Sequence, residues 1–226
     1  MENEKELILG IDDAGRGPVI GPMILAGCLI EKSKEPELKH LGVKDSKQLT
    51  AKRRDVLVEE IKKIAIAYHF TITHPYEIDS RTKMGINLNK IEAIKTAEII
   101  NKLNNGQKIK VVVDCPSVNI SSWYDYLLTH IEKPENLTIS CEHKADINHV
   151  ACSAASIIAK TTRDAEVEKI KKLVGVDFGS GYPSDPETIK FLDKYFAKHR
   201  KDGIFRETWG TVADHLNRKA QKKLEF

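Results

Sequence analysis

Five short apolar or β-branched runs alternate with longer stretches of helical periodicity, and this alternation limits the chain to an α/β architecture. The runs are Leu7-Ile8-Leu9-Gly10-Ile11, the nearly continuous apolar segment from Met23 to Ile30, Tyr68 to Thr73, Ile109 to Val113, and Leu137 to Cys141. Between them, Leu57, Ile61 and Ile64 fall at i, i+4 and i+7, and Thr50 is placed to cap that helix. Leu88, Ile91, Ile94, Ala97 and Ile100 form the stripe of a second helix. Val150, Ala154, Ile157, Ile158 and Thr161 give a third helix a face of small residues suited to close packing. Asp185-Pro186-Glu187 has the form of a helix start: a capping acid, Pro at the first position and an acid in the first turn. Ile189, Leu192 and Phe196 would be the buried stripe of that helix, which stops near Gly203. The short link between the first two runs suits antiparallel neighbours, so the pattern predicts a mixed five-stranded sheet flanked by helices.

The chain has 226 residues, 41% hydrophobic and 31% charged, enough to bury a sizeable core. No apolar run approaches the ~18 residues of a membrane span. The charged segment Met1-Glu2-Asn3-Glu4-Lys5-Glu6 lacks the features of a secretory signal, so a soluble, cytoplasmic protein with no membrane partner is expected. Cys28, Cys115, Cys141 and Cys152 are widely spaced, with no Cys-x-x-Cys pair, which points to buried free thiols. Charge is uneven. Residues 190–226 hold ten Lys and Arg against five Asp and Glu, leaving twenty-six basic and twenty-eight acidic residues elsewhere. A basic end beside a slightly acidic body fits a polyanion-binding surface or a solvated helical tail.

Carboxylates follow the expected strands. Asp12 and Asp13 come directly after the first run, Asp114 directly after the fourth, and Asp146 shortly after the fifth. Ligand sites of open α/β sheets lie beyond strand ends, and converging acids repel unless a cation sits between them. Carboxylate oxygens are what Mg²⁺ and Mn²⁺ prefer. Asp146 taken alone reads equally as the cap of a helix beginning near Asn148. Successive strand residues point to opposite faces, so Asp12 and Asp13 share a site only if the chain leaves β geometry there. Ala14-Gly15-Arg16-Gly17-Pro18 suits such a break, or an ordinary turn. Lys44-Asp45-Ser46-Lys47, ahead of a helix start, reads as a phosphate site or as solvated charge. Tyr182, between Gly181 and Pro183, is placed to stack on a sugar or base, or to pack locally.

Taken together, these segments resemble the type 2 ribonucleases H, the ribonuclease HII family, especially its archaeal members. Gly10-Ile11-Asp12-Asp13-Ala14-Gly15-Arg16-Gly17-Pro18-Val19-Ile20-Gly21-Pro22 is similar to the family's N-terminal signature. Asp45-Ser46-Lys47-x-Leu49, Asp114, His143-Lys144-Ala145-Asp146, Ser153-Ala154-Ala155-Ser156-Ile157-Ile158-Ala159-Lys160 and the segment Gly179 to Pro186 follow in family order. The resemblance implies a ribonuclease H-like fold over residues 1–180 with a C-terminal helical extension over 181–226. It implies an endonuclease of DNA replication and repair that cuts RNA in RNA–DNA hybrids and 5′ of ribonucleotides embedded in duplex DNA, leaving 3′-hydroxyl and 5′-phosphate ends. Two divalent ions, Mg²⁺ or Mn²⁺, would be held by Asp12, Asp13, Asp114 and Asp146. Gly15, Arg16 and Gly17 would hold the ribonucleotide through main chain that reads its 2′-hydroxyl, with Tyr182 against the sugar. Ser46 and Lys47 would hold backbone phosphates. The nearest rival is a type 3 ribonuclease H, which acts on longer hybrid tracts.

The chain departs from the family pattern in two places. Asp13 stands where the family normally has Glu, shortening the arm by a methylene, and Asn148-His149-Val150-Ala151-Cys152 replaces an aromatic-Pro-Val-Val run. His143 and Lys144, next to Asp146, read as residues that orient it or meet phosphate, and His143 equally as an ordinary core or surface residue. The ending Gln221-Lys222-Lys223-Leu224-Glu225-Phe226 is similar to the start of a sliding-clamp binding motif, with its aromatic pair incomplete. A monomer is expected.

Overall fold

The computed structural model describes residues 5–44 and 46–224, apart from the side chains of residues 47, 219, 220 and 222–224. In chain order it contains β1 (Leu7–Ala14), β2 (Met23–Glu31), α1 (Glu35–Leu41), α2 (Ala51–Ile64), β3 (Ala67–Thr73), α3 (Pro75–Lys83) and α4 (Leu88–Leu103). It continues with β4 (Ile109–Asp114), α5 (Ile120–Leu128), β5 (Leu137–Glu142), α6 (Ala145–Asn148), α7 (Val150–Val174), α8 (Pro186–His199) and α9 (Gly210–Leu224). The strands form one five-stranded sheet in the order β3-β2-β1-β4-β5. β1 is antiparallel to β2 and parallel to β4, and β4 is parallel to β5, so the sheet is mixed as expected. No described helix is long and apolar enough to cross a membrane.

The chain forms two compact units that do not follow chain order. The first takes in the described residues of Met1–Ala14, Ile24–Thr71 and Asn89–Thr162. The second takes in those of Gly15–Met23, Ile72–Leu88 and Arg163–Phe226, so the C-terminal helices belong with two earlier segments. In the first unit β1 and β4 lie in the middle of the sheet with Leu9, Ile11, Val111 and Val113 buried. β2 is buried along nearly its whole length, which is why its sequence is apolar without alternation. Core clustering in the second unit centres on Phe178, Phe191, Phe196 and Phe205, with Phe196 and Phe205 4.9 Å apart between ring centroids.

Local signals placed several helix ends. The Thr50 hydroxyl accepts the Arg53 N–H at 3.3 Å and starts α2, and the Asp185 carboxylate accepts the Glu187 N–H at 3.0 Å and starts α8. The buried stripe of α8 is Thr188, Phe191, Leu192 and Phe196; Ile189 is only half-buried. All four cysteines are free thiols, three buried and Cys141 half-buried. Burial pushes the Cys28 and Cys141 thiols up to about 12, with Cys115 and Glu142 adding to the effect at Cys141, so neither offers a thiolate nucleophile near neutral pH.

Candidate active site

Three of the four candidate acids sit where parallel strands end. β1 pairs with β4 only as far as Ile11 and Val113, so Asp12 and Asp114 each follow the last paired residue of that ladder. β1 runs past the apolar segment that ends at Ile11 and continues to Ala14 through antiparallel pairs Asp12 with Ala26, Asp13 with Leu25 and Ala14 with Ile24. Pairing with β2 outweighs the low strand preference of Asp-Asp-Ala. The break comes at Gly15, with φ of 85°. Asp12 and Asp13 are therefore consecutive residues of a paired strand, one buried and the other half-buried, and their side chains leave opposite faces of β1. What links them is proximity at the strand end, where the charge of Asp13 still reaches the Asp12 carboxyl.

Electrostatics ties these acids together. Asp12 is 6% exposed, and its carboxyl is held well above the usual range first by burial, then by the charge of Asp13, with Asp114 adding to it. Two hydrogen bonds oppose that rise: the Ser156 hydroxyl, and the Asp13 N–H donated to Asp12 Oδ1 at 2.7 Å. Asp114 Oδ1 accepts the Ala145 N–H at 3.0 Å. That bond depends on Lys144, whose φ of 60° is the one positive value of a non-glycine residue among the described residues and which turns the chain into α6. Asp146 lies inside α6, 3% exposed, so it is not the helix cap that its sequence position allowed. The carbonyl of Asp146 accepts the Ser153 hydroxyl at 2.6 Å, fixing α6 to the first turn of α7. Among the described residues no three His, Cys, Asp or Glu side chains stand in ion-holding geometry. Like-charged carboxylates gain nothing by closing further without a cation between them. The all-oxygen donor set, with a buried carboxylate already raised by two neighbouring acids, fits a hard divalent ion.

The other expected residues are distributed as follows. Ser46 is 3% exposed, and its hydroxyl lies 2.9 Å from that of Ser156, so it faces the group that holds Asp12 and not open solvent. The Lys47 side chain and Asp45 lie outside the described residues. In the second unit Gly15 is buried, Arg16 half-buried and Gly17 exposed. A Cβ on Gly17 would lie 3.3 Å from Tyr182 Cε1, so the Tyr182 ring flanks that turn. The Arg163 guanidinium sits 5.2 Å from the Tyr182 ring centroid and donates to the Ser180 carbonyl at 2.8 Å. His143 is exposed, with Nδ1 3.1 Å from the Cys115 carbonyl. His149, at the sequence departure, lies 3.0 Å from Glu142 through Nε2.

Ser156 and Arg163 were not singled out by sequence reasoning. Ser156 lies in the Ser153 to Lys160 segment that resembles the family, but its partner is distant in the chain, and Arg163 lies on a long helix among many charges, so neither role carries a local signal.

The family model for ribonuclease HII matches residues 9–212. The chain belongs to the ribonuclease HII family. It is 44% identical to the ribonuclease HII of Methanocaldococcus jannaschii, over 96% of this chain and 98% of that one. The crystal structure of ribonuclease H2 from Pyrococcus horikoshii matches with a TM-score of 0.84 at 38% identity, covering 94% of this chain and 98% of that chain. A structure of the PCNA:RNase HII complex from Archaeoglobus fulgidus matches with a TM-score of 0.78 at 39% identity, covering 90% of this chain and 95% of that chain. As a ribonuclease HII, this chain is a type 2 ribonuclease H with the ribonuclease H-like fold, an endonuclease that hydrolyses phosphodiester bonds of RNA in RNA–DNA hybrids. The family depends on divalent metal ions.

Proposed function

We propose that the protein cuts 5′ of ribonucleotides, in hybrids and singly within duplex DNA, using two divalent cations held by Asp12, Asp13, Asp114 and Asp146. The observation that carries the assignment is Asp12: a buried carboxylate, raised by two further acids, at the end of the central parallel ladder. When bound, Mg²⁺ or Mn²⁺ would supply an activated water and neutralise charge on the departing 3′-oxygen. The chain's own residues hold the acids in place. Ser156 fixes one oxygen of Asp12, the Ala145 N–H fixes Asp114, and the bond of Ser153 to α6 fixes the backbone of Asp146. Ser46 supports Ser156 from behind, and the phosphate contact of that loop is assigned to Lys47. In the second unit we assign the Gly15-Arg16-Gly17 turn to the ribose and its 2′-hydroxyl, with Tyr182 as the ring packed against the sugar. The single polar group that separates RNA from DNA is best read by fixed hydrogen-bond donors, because a site built for it leaves unpaired groups when it is missing.

The test is cleavage of a labelled duplex bearing one ribonucleotide, with Mg²⁺, with Mn²⁺ and with a chelator, mapping the nick to the nucleotide. The reading expects cutting 5′ of the ribonucleotide, leaving a 3′-hydroxyl, dependent on added cation and abolished in Asp114→Asn. Cutting that persists in chelator, or a cyclic phosphate product, refutes it. The A. fulgidus complex with PCNA supports a further reading in which residues 221–226 engage a sliding clamp. Of that segment, residues 225 and 226 and the side chains of 222–224 lie outside the described residues. Clamp retention unchanged by deleting 221–226 would refute that role.

A further inference from the structure

Arg206 is the largest fully buried side chain among the described residues, at 0% exposure. Its backbone N–H donates to the Val19 carbonyl at 2.9 Å, the Gly21 N–H donates to the Ile204 carbonyl at 2.9 Å, and Ile20 forms an antiparallel bridge with Phe205. This short ladder fixes where the Arg206 side chain starts. From there the guanidinium reaches three main-chain carbonyls: Nη2 donates to Gly15 at 2.6 Å, Nη1 to Arg16 at 2.8 Å and Nε to Gly21 at 3.0 Å. The Trp209 ring lies 5.0 Å from the guanidinium carbon. All of these groups belong to the second unit.

The peptide group is planar and trans, so a carbonyl and the N–H of the following residue point in opposite directions. Holding the Gly15 and Arg16 carbonyls toward the buried guanidinium therefore turns the N–H groups of Arg16 and Gly17 to the other side of the turn. Gly15, at φ of 85°, has no side chain to bias these planes. A planar fork with donors at fixed angles can set two successive peptide planes at once.

We infer that Arg206 is a positioning residue for ribonucleotide discrimination: it orients the two peptide groups of the Gly15-Arg16-Gly17 turn that face the 2′-hydroxyl. The inference rests on the assignment of that turn to the ribose. It also accounts for a buried arginine about 190 residues away from the turn in the chain. Lysine in its place keeps a cation and much of the stem but not the fork, so the turn loses its fixed orientation while the fold keeps most of its packing.

The experiment compares equilibrium affinities, in Ca²⁺ to suppress cutting, for two duplexes that differ in one 2′-hydroxyl. The quantity read is the ratio of the all-DNA Kd to the single-ribonucleotide Kd, measured beside a thermal melt for wild type and Arg206→Lys. Wild type should show a ratio well above one, and Arg206→Lys should bring it down about tenfold or to unity, the effect of one misdirected hydrogen bond. A lower melting temperature with an unchanged ratio would show a merely structural role and overturn the inference. A wild-type ratio of one would instead overturn the assignment of the turn itself, so the two failures are distinct. If Arg206→Lys does not fold, Trp209→Leu, which removes the ring against the guanidinium and part of the packing on the Phe196 and Phe205 cluster, carries the same test beside its own thermal melt: a reduced ratio supports the inference and an unchanged one overturns it.

Discussion

Gly10→Ala tests how the acids are held. A Cβ built on Gly10 would lie 2.1 Å from the carbonyl carbon of Ala151, 2.2 Å from the nitrogen of Cys152 and 2.4 Å from the Ala151 oxygen. Ordinary carbon–carbon contact begins near ~3.5 Å, so β1 and the start of α7 would have to separate by about 1.4 Å. All three atoms are main chain, so no rotamer relieves the clash. The first turns of α7 also carry Ser156, which bonds Asp12, and Ser153, which bonds the backbone of Asp146. Overpacking of this kind costs about 1–3 kcal/mol of stability. A displacement of about 1 Å at a reacting centre costs on the order of a hundredfold in rate.

Gly27→Ala is the matched comparison. Its Cβ would meet Ile99 Cγ2 at 2.4 Å, Leu103 Cδ1 at 3.1 Å and Leu9 Cδ1 at 3.3 Å, all of them side-chain atoms. Relief there shifts side chains of the α4 packing and leaves the main chain of α7 in place, so a similar loss of stability should come with less than about threefold loss of rate. The assay is single-turnover cleavage of a single-ribonucleotide duplex in Mg²⁺, beside urea unfolding of each variant, at a temperature where both are folded. Gly10→Ala should lose about a hundredfold in rate. If it cleaves within threefold of wild type, or if Gly27→Ala loses as much rate for the same loss of stability, the acids are not held through this contact.

Other predictions follow the same structure. Asp13→Glu restores the longer arm and should shift the balance of Mg²⁺ against Mn²⁺ activity by more than it shifts duplex affinity; identical metal titrations for both proteins would refute this. Tyr182→Ala should cost about tenfold on a single-ribonucleotide duplex, from a loss of stacking near 1–3 kcal/mol, and less on a long hybrid, so equal losses on both would contradict the role of that ring. Asp79 accepts the Glu207 N–H at 2.8 Å, the Thr208 N–H at 3.0 Å and the Thr208 hydroxyl at 2.6 Å. Asp79→Ala should therefore lower stability by about 1.5–3 kcal/mol in urea unfolding, and a change below about 0.5 kcal/mol, the range of ordinary surface substitutions, would refute it.

What could be read from the sequence is what is local. Thr50 and Asp185 cap helices through bonds to residues two or three positions away, so their roles follow from residue type and spacing. The five strands were legible because burial on one or both faces dictates their composition. The end of β1 was not, because Asp12, Asp13 and Ala14 stay extended only through partners on β2. Short helices also escaped. α5 begins after Asn119, whose side chain accepts the Ser122 N–H at 3.0 Å, and α3 begins with Pro75, both usable start signals. Both helices have nine residues, too few for periodicity to stand out. The four candidate acids were visible as residues after strands, but what holds each of them was not. Ser46 and Ser156 are separated by 110 residues, and no spacing rule joins them.

The same contrast explains where the buried arginines fall. Substrate-reading segments must leave N–H groups available, so they cannot be regular helix or sheet, yet their carbonyls still need donors. Among the described residues three such segments receive them from a buried guanidinium. Arg54 donates to the Leu49 carbonyl at 2.7 Å, just after the single 3₁₀ turn Ser46–Gln48 that carries Ser46 and Lys47. Arg163 donates to Ser180, beside Tyr182, and Arg206 to Gly15 and Arg16. A neutral donor such as Asn or Gln would satisfy one carbonyl and leave the segment free to pivot about it. A guanidinium sets direction as well as distance, because its donors lie in one plane at fixed angles. Burying a cation costs several kcal/mol of desolvation, which carbonyl oxygens and an aromatic face offset in part. Such a cost is retained where the orientation of a loop matters more than stability, and in this chain all three instances lie at segments assigned to the substrate.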